Sequence, residues 1–169
     1  MPYHFSSLDP AQREIRLLRI HPGKDAADLI KLTVYHTTID DAGDYLALSY
    51  AWGGKSESTP PVVLNGTDFA VTANLHSALR HIRLPEEELL IWIDAICINQ
   101  TDTAEREDQV RQMRDIFGGA KEVLAWIGPE VTGEEGDVFR FIEIIAEQIT
   151  PDKVEQLLRG RGKHSHVMN

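Results

Sequence analysis

The side chains best suited to chemistry lie within one stretch of the chain, LLIWIDAICINQTDTAEREDQVRQM (89–113). Its first ten residues, 89–98, predict a strand that is apolar on both faces, and Asp94 is the only formally charged side chain among them. A carboxylate is costly to remove from water, so we expect Asp94 to be paired, hydrogen-bonded or open to a cleft. Polar residues that can serve such a site follow at once: Asn99, Gln100, Glu105 and Arg106.

The second half of the stretch predicts a helix, ending at about residue 118, whose inward side is partly polar. Thr101 or Asp102 can cap its N-terminus, and Glu105 stands three residues after Asp102, in a close relative of the capping box. On a helical wheel Arg106 and Gln109 lie within about 30° of the apolar centre, whereas Glu105 lies about 70° from it, at the edge. That centre is formed by the apolar residues of the helix: Val110, Met113, Ile116, Phe117 and Ala120.

Two interpretations of these charges remain open. In one, Asp94 and Arg106 form a structural ion pair and Glu105 caps the helix. In the other they belong to a ligand site, because ligands of open α/β sheets collect outside the carboxyl ends of the strands. A second strand end carries residues that can stack on a nucleotide-like ligand and hydrogen-bond to it: Ser49, Tyr50, Trp52 and Gly53. The alternative for Tyr50 and Trp52 is that they are large core residues.

The elements that must position these residues predict the α/β class, with a mostly parallel central sheet flanked by helices. Strands alternate with helices through the central half of the chain, which is typical of right-handed βαβ crossovers. We expect the two N-terminal strands to be antiparallel and to lie at a sheet edge, and Asn65-Gly66 predicts a β-hairpin. The predicted elements are strands at 15–20, 28–38, 45–54, 89–98 and 122–128, the hairpin at 60–72, and helices at 74–84 (capped by Asn74), 102–118, 137–149 and 150–158.

Composition narrows the classes of function. The formal charge is 17 − 27 = −10, so a nucleic-acid backbone would be repelled and we expect no nucleic-acid partner. The sequence has no transmembrane run and no N-terminal signal peptide, which predicts a cytoplasmic protein without a membrane partner. Residues 1–158 are expected to form a single domain, and 159–169 a polar, disordered tail.

The single cysteine limits the chemistry further. Cys97 excludes an intrachain disulfide and a cysteine-based zinc cluster, and its apolar surroundings predict an inert core thiol. A hydrolase built on Cys97 with His76 or His81 is disfavoured, because no third group is apparent to orient the histidine. His164 and His166 lie in the predicted tail, so we expect no metal site.

Five linked motifs give the chain a family resemblance. They are ALSYAWG (47–53), VLNG...F.VT.NL..AL (63–79), IWIDAICINQ (91–100), ER..QV..M (105–113) and VLAWIG (123–128). Together they resemble the HET domain, the heterokaryon-incompatibility domain of filamentous fungi, over nearly all of residues 12–128 and with core motifs at 45–128. HET domains commonly form the N-terminal part of longer proteins, so the chain is expected to be either an excised module or a short member. The resemblance implies a cell-death effector in non-self recognition that associates with itself or with other death-signalling proteins.

HET domains are in turn remotely similar to TIR domains, flavodoxin-like α/β signalling modules of which some hydrolyse NAD with a glutamate borne on a helix. This likeness implies a TIR-like core and makes Glu105 the candidate catalytic residue, with NAD as a substrate and no resident cofactor. A nearby carboxylate can stabilise the oxocarbenium-like centre that forms when the bond to nicotinamide breaks. The sequence departs from TIR enzymes because Thr101 is the only hydroxyl four residues before Glu105. The alternative is a non-catalytic, self-associating interaction module in which the polar cluster serves structure.

Overall fold

A computed structural model describes residues 3–25, 28–52 and 61–128 of the chain. The helices predicted at 137–149 and 150–158, the predicted tail and Gly53 therefore lie outside the described residues. Within them a short 3₁₀ turn at Pro10–Gln12 precedes seven strands and three helices. These elements are β1 (Glu14–Ile20), β2 (Lys31–Thr38), β3 (Leu46–Tyr50), β4 (Val62–Leu64), β5 (Thr67–Phe69), α1 (Ala73–Ile82), β6 (Leu89–Trp92), α2 (Asp94–Cys97), α3 (Thr103–Gly119) and β7 (Glu122–Trp126).

The seven strands form one mixed sheet in the order β5-β4-β2-β1-β6-β3-β7. β3 pairs in parallel with β6 on one side and with β7 on the other, as expected for strands joined through helices. β4 is parallel to β2, whereas the other pairings, β1 with β2, β1 with β6 and β4 with β5, are antiparallel. The α/β class is confirmed, and the prediction of a mostly parallel sheet is wrong. A TIR-like core stays a prediction.

The two N-terminal strands pair as predicted, but they do not lie at the edge of the sheet. β1 and β2 are antiparallel in a register that runs from Glu14 opposite Thr38 to Ile20 opposite Leu32. β6 binds the other side of β1, and the β4–β5 hairpin binds the other side of β2, so β1 occupies the centre. Its side chains are buried on both faces of the sheet: Ile15, Arg16, Leu17, Leu18 and Ile20. Within β1, Arg19 remains exposed, near the end of the strand, where it pairs with Glu88.

The hairpin turn at Asn65-Gly66 is confirmed. Asn65 has a φ of 49° and Gly66 a φ of 80°, the left-handed pair that a two-residue hairpin turn requires. The Asn65 side chain also accepts a hydrogen bond from the Val34 amide at 3.0 Å, which ties the hairpin to β2.

Helix starts follow local capping rules with one correction. Asp102 caps α3, since its carboxylate accepts from the Glu105 amide at 3.1 Å. Thr72 caps α1 by accepting from the Leu75 amide at 3.2 Å, so the prediction that Asn74 is the cap is wrong. Asn74 lies inside the first turn of α1, where its side chain is free to bind elsewhere.

The strand predicted at 89–98 is shorter than its apolar run. β6 ends at Trp92, and Asp94–Cys97 forms one helical turn, in which the Cys97 amide donates to the Ile93 carbonyl at 2.8 Å. Ile93, Ile96 and Cys97 are all fully buried. A short apolar run does not distinguish a buried strand from a buried helical turn, which is why periodicity extended the strand too far. The turn changes the direction of the chain immediately before the polar residues of the predicted site. We call residues 93–102 the elbow.

Candidate functional site

An ion pair at the elbow joins α3 to the centre of the sheet. Arg16 on β1 donates from Nη1 to Glu105 Oε1 at 2.6 Å and from Nη2 to Glu105 Oε2 at 2.9 Å. The Arg16 side chain is fully buried and that of Glu105 is 9% exposed. A two-pronged pair of this geometry fixes both side chains in one orientation.

Further contacts surround this pair, although Arg16 Nε is buried and has no hydrogen-bond partner among the described residues. The backbone N–H of Asn99 donates to Glu105 Oε1 at 2.6 Å, so the Glu105 carboxylate accepts three short hydrogen bonds. Arg16 also donates to the carbonyl oxygens of Cys97, at 2.8 Å, and of Ser6, at 2.5 Å. The Phe5 ring lies 4.9 Å from the Arg16 guanidinium carbon. Arg16 therefore connects the N-terminal segment, β1, the elbow and α3.

Sequence reasoning missed Arg16. The rule that drew attention to Asp94, a charge within an apolar strand, applies equally to Arg16 in the run IRLLRI. Arg16 was not selected, because its strand was expected at a sheet edge, where a charged side chain has access to solvent. Its burial follows from the central position of β1.

Asp94 has different surroundings from Glu105. Its carboxylate accepts from Trp52 Nε1 at 2.9 Å and from the Ala95 amide at 2.7 Å. Burial raises the pKa of Asp94, and these two hydrogen bonds oppose the shift. Arg106 is exposed and donates instead to the Gln100 carbonyl at 3.1 Å. The predicted Asp94–Arg106 ion pair is therefore wrong, because the helical turn at 94–97 brings Asp94 to the residues that follow β3.

Tyr50, Trp52 and Asp94 lie together because the neighbouring parallel strands β3 and β6 end at the same edge of the sheet. The Tyr50 hydroxyl is buried and has no hydrogen-bond partner among the described residues. Its pKa is raised well above the ordinary value, first by burial and second by the charge of Asp94. Trp52 keeps 47% of its surface exposed, and Ser49 is exposed on the same strand. Trp52 is thus not a core residue, whereas Tyr50 is half-buried.

Two residues that sequence reasoning did not select complete this end of the sheet. The Asn74 side chain donates from Nδ2 to the Ala51 carbonyl at 2.5 Å, and its Oδ1 accepts from Trp126 Nε1 at 2.8 Å. Trp126 ends β7, so Asn74 links the chain after β3 to the carboxyl end of the edge strand. We call Tyr50, Trp52, Asn74, Asp94 and Trp126 the strand-end cluster. The signal for Asn74 was present in the sequence, but it was assigned to helix capping.

The other predicted residues lie on a different face of the elbow. Gln100 Nε2 donates to the Asp94 carbonyl at 3.0 Å, and Asn99 Oδ1 accepts from the Thr101 hydroxyl at 2.7 Å. Asn99 and Gln100 line a cavity of about 560 Å³ together with aromatic residues of the N-terminal segment and of β5, namely Tyr3, Phe5 and Phe69. The predicted site residues therefore divide between the Arg16–Glu105 pair, the strand-end cluster and this cavity, while Ser49 and Arg106 are exposed and belong to none of the three.

Cys97 has the character of a core thiol. It is fully buried, and burial raises its pKa to about 12. In the part of the chain that the structure describes, no three His, Cys, Asp or Glu side chains converge as metal ligands. Among the same residues, no helix is both long and apolar enough to cross a membrane.

Comparison with known proteins adds a family to this geometry. The family model described as heterokaryon incompatibility protein (HET) matches residues 45–166, which include the strand-end cluster and Glu105. The protein named Heterokaryon incompatibility protein 6, OR allele, of Neurospora crassa is 35% identical over 157 residues, which cover 86% of this chain. The chain spans 22% of that relative's length. No solved structure matches the chain.

Proposed function

Because the chain belongs to the heterokaryon incompatibility (HET) family, we propose that it is a cytoplasmic signalling module that triggers cell death in fungal non-self recognition. The family match spans the elbow, α3 and the strand ends, which are the parts of the described chain where polar groups converge. The role rests on that match. Self-association, or binding to other death-signalling proteins, completes the proposal.

The observation that guides the mechanism is the different availability of two carboxylates. Glu105 accepts three short hydrogen bonds, two of them from a fully buried arginine, which supports a structural role. Asp94 lies beside an exposed tryptophan and a tyrosine hydroxyl that has no partner among the described residues. If the module hydrolyses NAD, we propose that Asp94 and not Glu105 is the carboxylate that acts on the substrate.

The chemistry asked of Asp94 is modest. The nicotinamide ring of NAD is cationic while it is bonded to the ribose, and it leaves as a neutral molecule when that bond breaks. The carboxylate therefore needs only to stabilise the positive charge that develops on the ribose. Trp52 can stack on a planar ring of the ligand, and the Tyr50 hydroxyl can donate to a ribose or phosphate oxygen. NAD enters this scheme as a substrate, without a resident cofactor.

The competing proposal is a module that acts by association alone. The Arg16–Glu105 pair favours this proposal. Glu105 is the residue whose position best fits TIR-like catalysis, and the ion pair gives it a structural role instead. In this case Asp94 serves to hold Trp52 and the chain after β3.

Incubation of the purified protein with NAD at high protein concentration separates the two proposals. We expect wild-type protein to release nicotinamide and Asp94→Asn to lose at least about 100-fold in rate, since the variant keeps the shape but not the charge. Asp108→Asn is the matched control, because it removes a charge from the outer face of α3, where Asp108 pairs with Arg111. Full turnover by Asp94→Asn would remove Asp94 from the chemistry.

The cellular role is tested by induced expression in a filamentous fungus. We expect growth arrest with the wild-type chain and survival with Asp94→Asn under the hydrolytic proposal. Arrest by Asp94→Asn, together with no nicotinamide release by any variant, would support association alone. Growth without arrest for the wild-type chain, at a level where the folded protein is detected, would contradict the cell-death proposal itself.

A further inference from the structure

A cationic cavity lies away from the elbow, between the loop that follows β1 and the C-terminal end of α1. It has a volume of about 410 Å³, and its lining includes Gly23, Lys24, Asp25, Arg80, His81 and Arg83. Three of these side chains are cations, while Asp25 supplies the one carboxylate, in a chain whose formal charge is −10. The lining therefore carries a net positive charge on an acidic protein.

Neither arginine of the cavity has a carboxylate partner in the part of the chain described. Arg80 is half-buried, and its Nη1 is fully buried without a hydrogen-bond acceptor. Burying a hydrogen-bond donor without an acceptor costs more folding free energy when the donor belongs to a charged group than when it belongs to a neutral group. The charge of Arg80 also acts on its surroundings, since it is the second cause, after burial, of the lowered pKa of His76.

Arg83 is held in place by backbone groups and not by a counter-charge. Its guanidinium donates to the carbonyl oxygens of Asp25, at 2.8 Å, and of Asp28, at 3.2 Å, and the residue is 9% exposed. A Cβ on Gly23 would overlap this guanidinium, so the glycine allows the close approach. Arg83 is thus fixed in orientation, and no carboxylate of the described residues forms an ion pair with it. Lys24 lies at the exposed rim, where it pairs with Glu86 at 2.9 Å.

We propose that this cavity binds the phosphate group of a small phosphorylated molecule, or inorganic phosphate itself. A phosphate dianion would neutralise the charges of Arg80 and Arg83, both of which line the cavity. A volume of about 410 Å³ exceeds what free phosphate needs and falls in the range of small-molecule sites. The proposal is independent of the proposed NAD chemistry, because it involves none of the residues of the strand-end cluster.

Titration calorimetry at constant ionic strength tests the proposal with inorganic phosphate, glucose 6-phosphate and glucose. We expect saturable binding of at least one phosphate compound and none of glucose. Arg80→Met should weaken that binding about tenfold or more, the loss expected for one charge-assisted hydrogen bond. Tighter binding of glucose 6-phosphate than of inorganic phosphate would identify an organic phosphate as the ligand, and the reverse order would identify the free ion.

Lys121→Met is the matched control, since Lys121 is exposed, pairs with Asp44 and carries the same charge as Arg80. It should change the affinity by less than about twofold, because surface charges are screened. Lys24→Gln gives a second test that leaves the buried arginines in place, with an expected loss of several-fold. Equal weakening by Arg80→Met and Lys121→Met, or no saturable binding of either phosphate compound to the wild-type protein, would overturn the proposal.

Discussion

At the scale of single residues, the two carboxylates of the elbow differ in what surrounds them. Glu105 shares its charge with Arg16 across two short hydrogen bonds, deep against the sheet. Asp94 accepts from an indole and from one amide at the carboxyl ends of the strands. A buried carboxylate with a rigid cationic partner supports architecture, whereas one with neutral partners retains its charge for a ligand.

The pH dependence of stability tests the environment of Asp94. Its pKa in the folded state is raised above the ordinary value of 3.8, mainly by burial. The folded state therefore binds the proton more tightly, and the stability that Asp94 contributes is lost as the pH rises through its folded-state pKa. Asp94→Asn removes this loss, so its stability relative to wild type should increase as the pH rises from the ordinary value of 3.8 through the folded-state pKa. Urea unfolding across that range measures the difference, and a relative stability that falls with pH would contradict the assignment.

Cys97 offers a second test at this scale. Burial raises its pKa to about 12, so the reactive thiolate is scarce at neutral pH and reagents cannot reach it. We expect no labelling of the folded protein by a thiol-specific disulfide reagent and complete labelling in denaturant. Rapid stoichiometric labelling under native conditions would show that the α2 turn opens readily.

At the scale of elements, α3 is rotated relative to the orientation that hydrophobicity predicts. Gln109 and Ile116 are buried, and Gln109 donates to the Glu14 carbonyl at 2.9 Å, whereas Val110 is 54% exposed. The side of α3 that faces the sheet is therefore determined by the hydrogen bonds of Glu105 and Gln109 to β1. The wheel placed Gln109 on the inward side but left Glu105 at the edge, because Glu105 becomes a suitable inward residue only once β1 presents Arg16.

Paired truncations measure this rotation. Ile116→Ala should cost about 2–4 kcal/mol of unfolding free energy, since it opens a cavity in the core. Val110→Ala, at a site that the wheel places in the apolar centre, should stay within about 0.5 kcal/mol of wild type. Urea unfolding of both variants gives the comparison. A larger cost for Val110→Ala than for Ile116→Ala would restore the predicted orientation.

Local features of the elements were predictable from sequence to the extent that neighbours in the chain determine them. The Asn65-Gly66 turn and the Asp102 cap depend on residues within a few positions, and both are confirmed. The cap at Asn74 was wrong because Thr72, two residues earlier, serves the same purpose. The end of β6 was wrong because its apolar run continues through a buried helical turn.

At the scale of the whole molecule, the sheet order determines which residues meet. β1 lies at the centre only because β6 binds it on one side and β2 on the other, and this pairing depends on residues far apart in the chain. The sequence indicated two strand ends that carry candidate ligand residues, but the contact between Trp52 and Asp94 depends on the pairing of β3 with β6. It did not indicate the partner of Glu105, since Arg16 is 89 residues away and its strand was expected at an edge.

We infer that the Arg16–Glu105 pair holds the elbow and α3 against the sheet, and a double-mutant cycle measures the coupling between the two residues. Unfolding free energies would be measured for the wild type, Arg16→Met, Glu105→Gln and the double variant. Each single change should cost about 3 kcal/mol or more, because it leaves a buried charge without its partner. The double variant should cost less than the sum by about 2 kcal/mol, while the same cycle on the exposed Arg111–Asp108 pair gives about zero. A coupling near zero between Arg16 and Glu105 would contradict the account and return Glu105 to the candidates for catalysis.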